Sequence, residues 1–453
     1  MRTSGLSLTK QWYTRSEIER QCMKVVVIGT GFVGVVSAAV FASFGNEVVG
    51  IDIDPNKIAK LQKGEVPFFE PGLTELLVQE QASKRLSFTT EYEQAVTGAQ
   101  VCIIAVGTPS GASGRADLTY VYAACESLAP YLAEHAVVVV KSTVPPGTLK
   151  SVHEKIAAHT QVKFTVASVP EFLREGTAVY DTLHPDRVVI GAADDAAYQV
   201  LAELHQPLSA PVIRVVPESA QMGKYAANSY LALRIAFINQ IADICEHTGA
   251  DVSEVIAIIG KDKRIGDHYW YPGPGYGGSC FPKDVKEIAE YSKQVGETDA
   301  LFIKLHELNE ARLPKLMKKW STLVDGWNGK KIAVLGLSFK PETDDLRDAP
   351  SLKIIPKLLE SDATVVAFDP QAVAAAGRYF GQKEGLTIVD NIDTALADAD
   401  VIIILTEWTQ ITGYVFKKVE KQPVYFIDSR NQFDGQKLKS LGYTYIGIGK
   451  GTA

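Results

Sequence analysis

The sequence predicts an α/β protein built from two Rossmann-like doubly wound domains joined by a long central helix. Three observations carry that prediction. A β-branched run, Lys24-Val-Val-Val-Ile, opens directly onto Gly29, Gly31 and Gly34 and then onto a helical pattern. The same strand grammar returns near the C-terminus, where Lys331-Ile-Ala-Val-Leu-Gly parallels the first run. Between the two lies a helical stretch over 218–248, terminated by Gly249.

In chain order, the first helix is expected over 35–44, ending at Gly45. The strand Glu47-Val-Val-Gly-Ile follows and closes on Asp52. Alone, a GxGxxG pattern is weak. Set between strand and helix, with an acid ending the next strand, it marks a dinucleotide site. The glycines let a pyrophosphate reach the helix N-terminus, and Asp52 accepts from ribose hydroxyls, favouring NAD over its 2′-phosphorylated relative. Strands are expected at 101–106 and 137–140. Their ends, at Thr108 and Thr143, fall on the edge where open α/β sheets hold ligands.

The second half repeats this order. Thr364-Val-Val-Ala-Phe-Asp369 parallels the strand ending at Asp52, and Val401-Ile-Ile-Ile parallels Val101-Cys-Ile-Ile. Its first turn, Gly336-Leu-Ser-Phe-Lys-Pro, lacks the GxGxxG glycines, so a different nucleotide is expected there, with Lys340 placed for phosphate. Domain bounds are read as a tail over 1–22, a dinucleotide domain over 23–213, a central helical and dimerisation region over 214–320, and a second nucleotide domain over 321–453. The central stretch carries apolar residues widely around its cylinder, as a helix covered on several sides must. Lys224 and Asn228, four apart, share one of its faces.

Composition sets outer limits. The 453 residues are 46% hydrophobic and 22% charged, an ordinary globular balance with ample core. A net charge of −7 argues against nucleic acid or an anionic membrane as partner. Neither a spanning run nor a signal-type apolar segment is read. The five scattered cysteines form no disulfide framework, which points to a reducing cytoplasm. No metal is assigned.

Chemistry concentrates in Pro272-Gly-Pro-Gly-Tyr-Gly-Gly-Ser-Cys-Phe-Pro-Lys-Asp284. Glycines admit close backbone approach to a ligand, and Cys280 precedes a helix-initiating segment with Lys283 nearby. Both features favour a thiolate.

The chain resembles the UDP-glucose/GDP-mannose dehydrogenase family of nucleotide-sugar dehydrogenases, from about Met23 to near its end. The resemblance rests on Gly29-Thr-Gly-Phe-Val-Gly34, Phe69-Glu-Pro-Gly-Leu73, Lys141-Ser-Thr-Val-Pro-Pro-Gly147, Pro170-Glu-Phe-Leu-Arg-Glu-Gly176 and Pro185-Asp-Arg-Val-Val-Ile-Gly191. Lys224-Tyr-Ala-Ala-Asn228, the cysteine loop and Phe339-Lys-Pro-Glu-Thr-Asp-Asp-Leu-Arg347 complete it.

That resemblance implies a four-electron oxidation of UDP-glucose to UDP-glucuronate, with two NAD reduced per sugar. GDP-mannose is the alternative substrate. Cys280 would form a thiohemiacetal and then a thioester. Lys224 and Asn228 would hold the oxyanion, Asp284 would sit by the thiol and its water, and Thr143 and Glu171 would position water or act as base. For NAD the implied positions are Gly29, Gly31, Val33, Gly34, Asp52 and Lys57, with Thr108, Thr143, Glu175, Lys283 and Arg347. For the sugar nucleotide they are Glu171, Phe172, Leu173, Arg174 and Glu175, with Lys224 and Asn228, and then Tyr269, Gly273, Gly277, Lys340 and Arg430. Arg264 would reach the substrate of a neighbouring subunit, making a homodimer the minimal enzyme. Val169 before Pro170, Trp270 in the cysteine loop and Gly223 in the central helix depart from the family pattern.

Overall fold

The computed structural model describes residues 22–420 and 423–450. The expected tail therefore lies outside the described residues, apart from Cys22. The first sheet has eight strands: β1 Lys24–Ile28, β2 Glu47–Ile51, β3 Leu86–Thr89, β4 Val101–Ile104, β5 Ala136–Val140, β6 Phe164–Ser168, β7 Val188–Gly191 and β8 Val212–Val215. Their spatial order is β3-β2-β1-β4-β5-β6-β7-β8, parallel throughout except where β7 meets β6. The second sheet contains β9 Lys331–Leu335, β10 Thr364–Phe368, β11 Leu386–Val389, β12 Val401–Ile404, β13 Val424–Asp428 and β14 Tyr443–Gly447. Its order, β11-β10-β9-β12-β13-β14, repeats the first six positions of the first sheet. The two doubly wound domains and the connecting helix bear out the expected fold class.

The apolar runs follow from burial on both faces. Val25 and Val27 pack into one layer of the first domain and Val26 and Ile28 into the opposite layer. In β9 the same alternation sends Ile332 and Val334 one way and Ala333 and Leu335 the other. Strands covered on both sides read as unbroken hydrophobic segments rather than alternating ones.

The first helix begins earlier than the sequence suggests, at Phe32, and ends at Ser43 with Phe44 as its cap. The glycine turn leads straight into helical backbone, so the motif's last three residues already form its first turn. Likewise β4 stops at Ile104, two residues short of the expected end, and the chain leaves the sheet towards the ligand edge.

The central helix runs 32 residues, Pro217–Thr248. Proline at its first turn needs no N–H partner, and Gly249 at φ 75 ends it in the left-handed region. Gly223 lies within it without breaking it, at a propensity cost of about 1 kcal/mol. Near its start the helix crosses β7 so closely that a Cβ on Gly191 would stand 2.7 Å from that of Ala220. Its middle packs Ala232, Ile235 and Ala236 against Tyr276, Val285 and Leu305. Its end packs Ile238, Ala242 and Cys245 into the core of the second domain. One rod thus fixes both sheets.

Candidate active site

The carboxyl edge of the first sheet carries the dinucleotide loop. Gly29 has φ +95, and a Cβ there would lie 2.9 Å from Ala105 O. A Cβ on Gly34 would fall 1.8 Å from Gly29 O, whereas nothing lies within 4 Å of the corresponding point on Gly31. Two glycines are therefore required by packing, and the third leaves open approach to the helix N-terminus. Val33 is half-buried beside them. At the end of β2, Asp52 accepts from Thr30 N at 2.9 Å and from Lys57 Nζ at 2.8 Å. Burial works to raise its pKa, but Lys57 and Thr30 outweigh it and hold the carboxyl below the usual range. The residues fit NAD: an open loop for pyrophosphate and an ionised acid one strand over.

Deeper in the cleft, the ends of β4 and β5 meet where Thr108 Oγ1 donates to Thr143 O at 3.0 Å. After β6 the chain brings in Glu171, whose Oε1 accepts from Lys224 Nζ at 2.9 Å; the two side chains are only 7% and 3% exposed. Glu171 Oε2 also accepts from Leu173 N at 2.9 Å, closing a tight turn. Burial opposes ionisation of both partners. For Glu171 the charges of Lys224 and Lys141 win, and its pKa is lowered. For Lys224 the negative charges of Glu171 and Asp284 win, and its pKa is raised.

Asn228, one turn along the same helix face, donates to Asp284 Oδ2 at 2.6 Å. Lys283 holds the other oxygen of Asp284, which is itself buried. Cys280 is the N-cap of the helix Phe281–Gln294. The thiolate expected from this position is not the resting form. Burial pushes the thiol pKa up, Glu171 and Asp284 add to that, and Lys224 and Lys283 oppose it without reversing it. The helix terminus and two nearby cations do not offset desolvation beside two carboxylates.

Glu175 completes the wall. Its Oε1 accepts from Ser279 Oγ at 2.7 Å, and Ser279 Oγ is 3.4 Å from Cys280 Sγ. Arg347, also held by Asp345, reaches Glu175 at 3.3 Å. Burial, then the charge of Asp345, raises the Glu175 carboxyl to about 7. Phe172 is sandwiched, with Arg187 3.9 Å and Lys224 5.4 Å from its ring centre. Leu173 is half-buried, while Arg174 turns outward to Asp181 at 2.8 Å.

The glycines of the cysteine loop are set by close approach to the second domain. A Cβ on Gly277 would be 2.3 Å from Asp348 O, and one on Gly273 would be 3.0 Å from Ser429 O and near Arg430. Arg430 follows β13 and donates to Leu405 O at 2.7 Å. Lys340 follows β9, half-buried, with burial lowering its pKa. Both stand at the switch point of the second sheet, where order reverses between β9 and β12. Tyr269 sits in the left-handed region at φ 64 and packs against Phe281. Arg264 is not brought to this cleft: its side chain is 89% exposed and bonded to Asp262. The bulky Trp270 is accommodated on the central helix, with Arg234 over its ring at 4.0 Å.

Four residues of the site were not assigned from sequence. Ser279, Thr343 and Asp345 lie inside motifs already singled out, but their orientation towards Glu175 exists only in the fold. The fourth, Glu70, is buried and accepts from Gly176 N at 2.6 Å and Ala178 N at 2.7 Å, pinning the segment that carries Glu171 and Glu175. Its place in Phe69-Glu-Pro-Gly was the available signal.

A dinucleotide loop, a second nucleotide crevice and a half-buried thiol between them define an NAD-linked oxidoreductase. Family models match the chain in three parts. The NAD binding domain of the UDP-glucose/GDP-mannose dehydrogenase family matches residues 23–209, its central domain 218–311 and its UDP binding domain 333–435. The chain belongs to this family. It is 44% identical to the UDP-glucose 6-dehydrogenase TuaD of Bacillus subtilis over 432 residues, covering 94% of this chain and 93% of that one. The structure of a UDP-glucose dehydrogenase from Pyrobaculum islandicum superposes with a TM-score of 0.89 at 36% identity, over 96% of this chain and 99% of that chain. A GDP-mannose dehydrogenase from Pseudomonas aeruginosa gives 0.52 at 30% identity, over 94% and 100%.

Proposed function

We propose that this chain oxidises the C6 hydroxymethyl group of UDP-glucose to a carboxylate, with two NAD reduced per sugar. The observation that carries the reading is the meeting of Cys280, Lys224, Asn228 and Asp284 in one buried cleft between two nucleotide crevices. The 44% identity to a UDP-glucose 6-dehydrogenase over 94% of this chain supports the choice of sugar.

When bound, NAD supplies the hydride acceptor at the first sheet's edge. The chain's own residues do the remaining work. Lys224 and Asn228 face the C6 oxygen and stabilise negative charge as it develops there. Cys280 adds to the aldehyde left by the first hydride transfer, holding carbon as a thiohemiacetal until the second transfer yields a thioester. Glu171 and Thr143 position the water that hydrolyses it, with Asp284 beside the sulfur. Arg430 and Lys340 take the nucleotide phosphates in the second crevice.

The complete enzyme is a homodimer. Tyr230, Phe237 and Ile244 are 57%, 50% and 58% exposed and recur every seven residues on the central helix, an apolar stripe of the kind a second helix covers. The loop bearing Arg264 lies on the same region, since Arg234 and Trp270 both bond Gly266 O at 3.1 and 2.8 Å. A partner's Arg264 loop beside this face is consistent with a shared site. Among the described residues no helix is long and apolar enough to cross a membrane, and the unpaired cysteines suit a reducing cytoplasm.

NADH release from purified protein, measured across UDP-glucose, GDP-mannose and UDP-N-acetylhexosamines, tests the reading. Two NADH per UDP-glucose are expected. One NADH, or preference for another sugar, overturns it.

A further inference from the structure

The half-buried Cys280 thiol resists ionisation, yet the proposed chemistry needs its sulfur as a nucleophile. Lys283 is committed to Asp284 and cannot accept a proton as an ammonium. Asp284 is held by Asn228 as well, and Glu171 is locked onto Lys224. Among the described residues, the one carboxylate joined to the sulfur by a hydroxyl is Glu175, through Ser279 at 2.7 and 3.4 Å. Three contacts hold this line in place. Gly278 N donates to Arg347 O at 2.9 Å, Arg347 reaches Glu175, and Thr343 Oγ1 approaches Glu175 Oε2 at 3.4 Å.

We propose that Ser279 relays a proton from Cys280 to Glu175, making Glu175 the base that frees the sulfur for attack. The inference rests on Cys280 being the nucleophile. The Sγ–H proton passes to Ser279 Oγ while the serine's own proton passes to Glu175 Oε1. The released sulfur pair forms the C–S bond, and the aldehyde π electrons move to the oxygen facing Lys224 and Asn228. Glu175 ends protonated, and no other reactant is consumed. This is the acid–base–nucleophile logic of a triad, with a hydroxyl as the middle member.

The surroundings suit the role. Glu175 faces Asp345, Arg347 and Lys340, and its carboxyl is raised to about 7 by burial and by Asp345, near the pH at which a base works best. Cys280 faces Glu171, Lys224, Asp284, Lys283 and Arg347, so its own charge state responds to all five.

Iodoacetamide alkylation of Cys280 in the full-length protein tests the relay without any sugar. Peptide mass spectrometry separates it from the exposed Cys22. From about pH 6 to 9 the wild-type rate should rise first through the Glu175 range. Ser279→Ala should lose that lower limb and react about tenfold more slowly near neutrality, while Ser279→Thr keeps it. Glu175→Gln should match Ser279→Ala and serves if the alanine variant does not fold. A folded Ser279→Ala protein that follows the wild-type profile overturns the relay. Slow alkylation in that variant alongside a wild type inert towards UDP-glucose sinks the functional reading alone.

Discussion

Lys224 Nζ lies 2.9 Å from Glu171 Oε1 with both side chains buried, so the cation assigned to the oxyanion is already bonded to a carboxylate. The pair keeps each partner charged in a site that desolvates both. It also means that removing either leaves an uncompensated buried charge.

Lys224→Ala should therefore act twice. Turnover should fall by roughly 10²–10³-fold from loss of oxyanion stabilisation, and unfolding should become easier by about 3–5 kcal/mol because Glu171 is stranded. Adding Glu171→Gln should recover much of the stability and none of the rate. Urea denaturation and steady-state assays on the wild type and the two variants check this.

Cys280→Ser should abolish acid formation while calorimetry still registers NAD and UDP-glucose. Normal acid production by the serine variant would rule out the covalent route.

Asp52→Ala removes the acceptor of both Thr30 and Lys57. NAD affinity should drop by about tenfold to a hundredfold, the worth of a charged hydrogen bond, with UDP-glucose affinity unchanged. Fluorescence titration of each ligand separates the two.

His205 gives a pH signature in stability. The ring is buried, with Nδ1 2.7 Å from Leu201 O and its edge towards Phe41, and burial lowers its pKa to about 4 from 6.5. The unfolded chain then takes up the proton first as pH falls. The stabilising effect is full above 6.5 and is lost between 6.5 and about 4, on the order of 3 kcal/mol at most. Glu175, raised to about 7, acts with the opposite sign, so the informative quantity is a difference between proteins. His205→Gln should show a smaller loss of urea midpoint between pH 7 and pH 5 than wild type; equal losses would refute the assignment.

The proposed dimer is tested by Phe237→Glu with Tyr230→Glu, which should sediment as a monomer where the wild type sediments as a dimer, and should bind sugar more weakly with NAD binding intact. A monomeric wild type would refute the shared site.

The fold was legible because doubly buried strands, such as Val25 to Ile28, must be apolar on both faces, and because a glycine turn between strand and helix has few other uses. The paired motifs made the site residues legible as a set. Their mutual bonds were not: nothing in the order of letters says that Lys224 is taken by Glu171, or that Ser279 points at Glu175. The thiolate expected at Cys280 failed for the same reason. Neighbours in sequence supplied the cation Lys283, whereas the desolvation exists only in the fold and the Glu171 charge comes from the segment after β6.

The bond from Gly278 N to Arg347 O stitches the cysteine loop to the far half of the molecule. Arg347 thus touches both ends of one line, its carbonyl holding the loop that carries Cys280 and its guanidinium reaching Glu175. A single residue of the second domain therefore couples the glycine-rich loop to a carboxylate of the first, so the geometry around the sulfur is a property of the whole chain and not of any one domain.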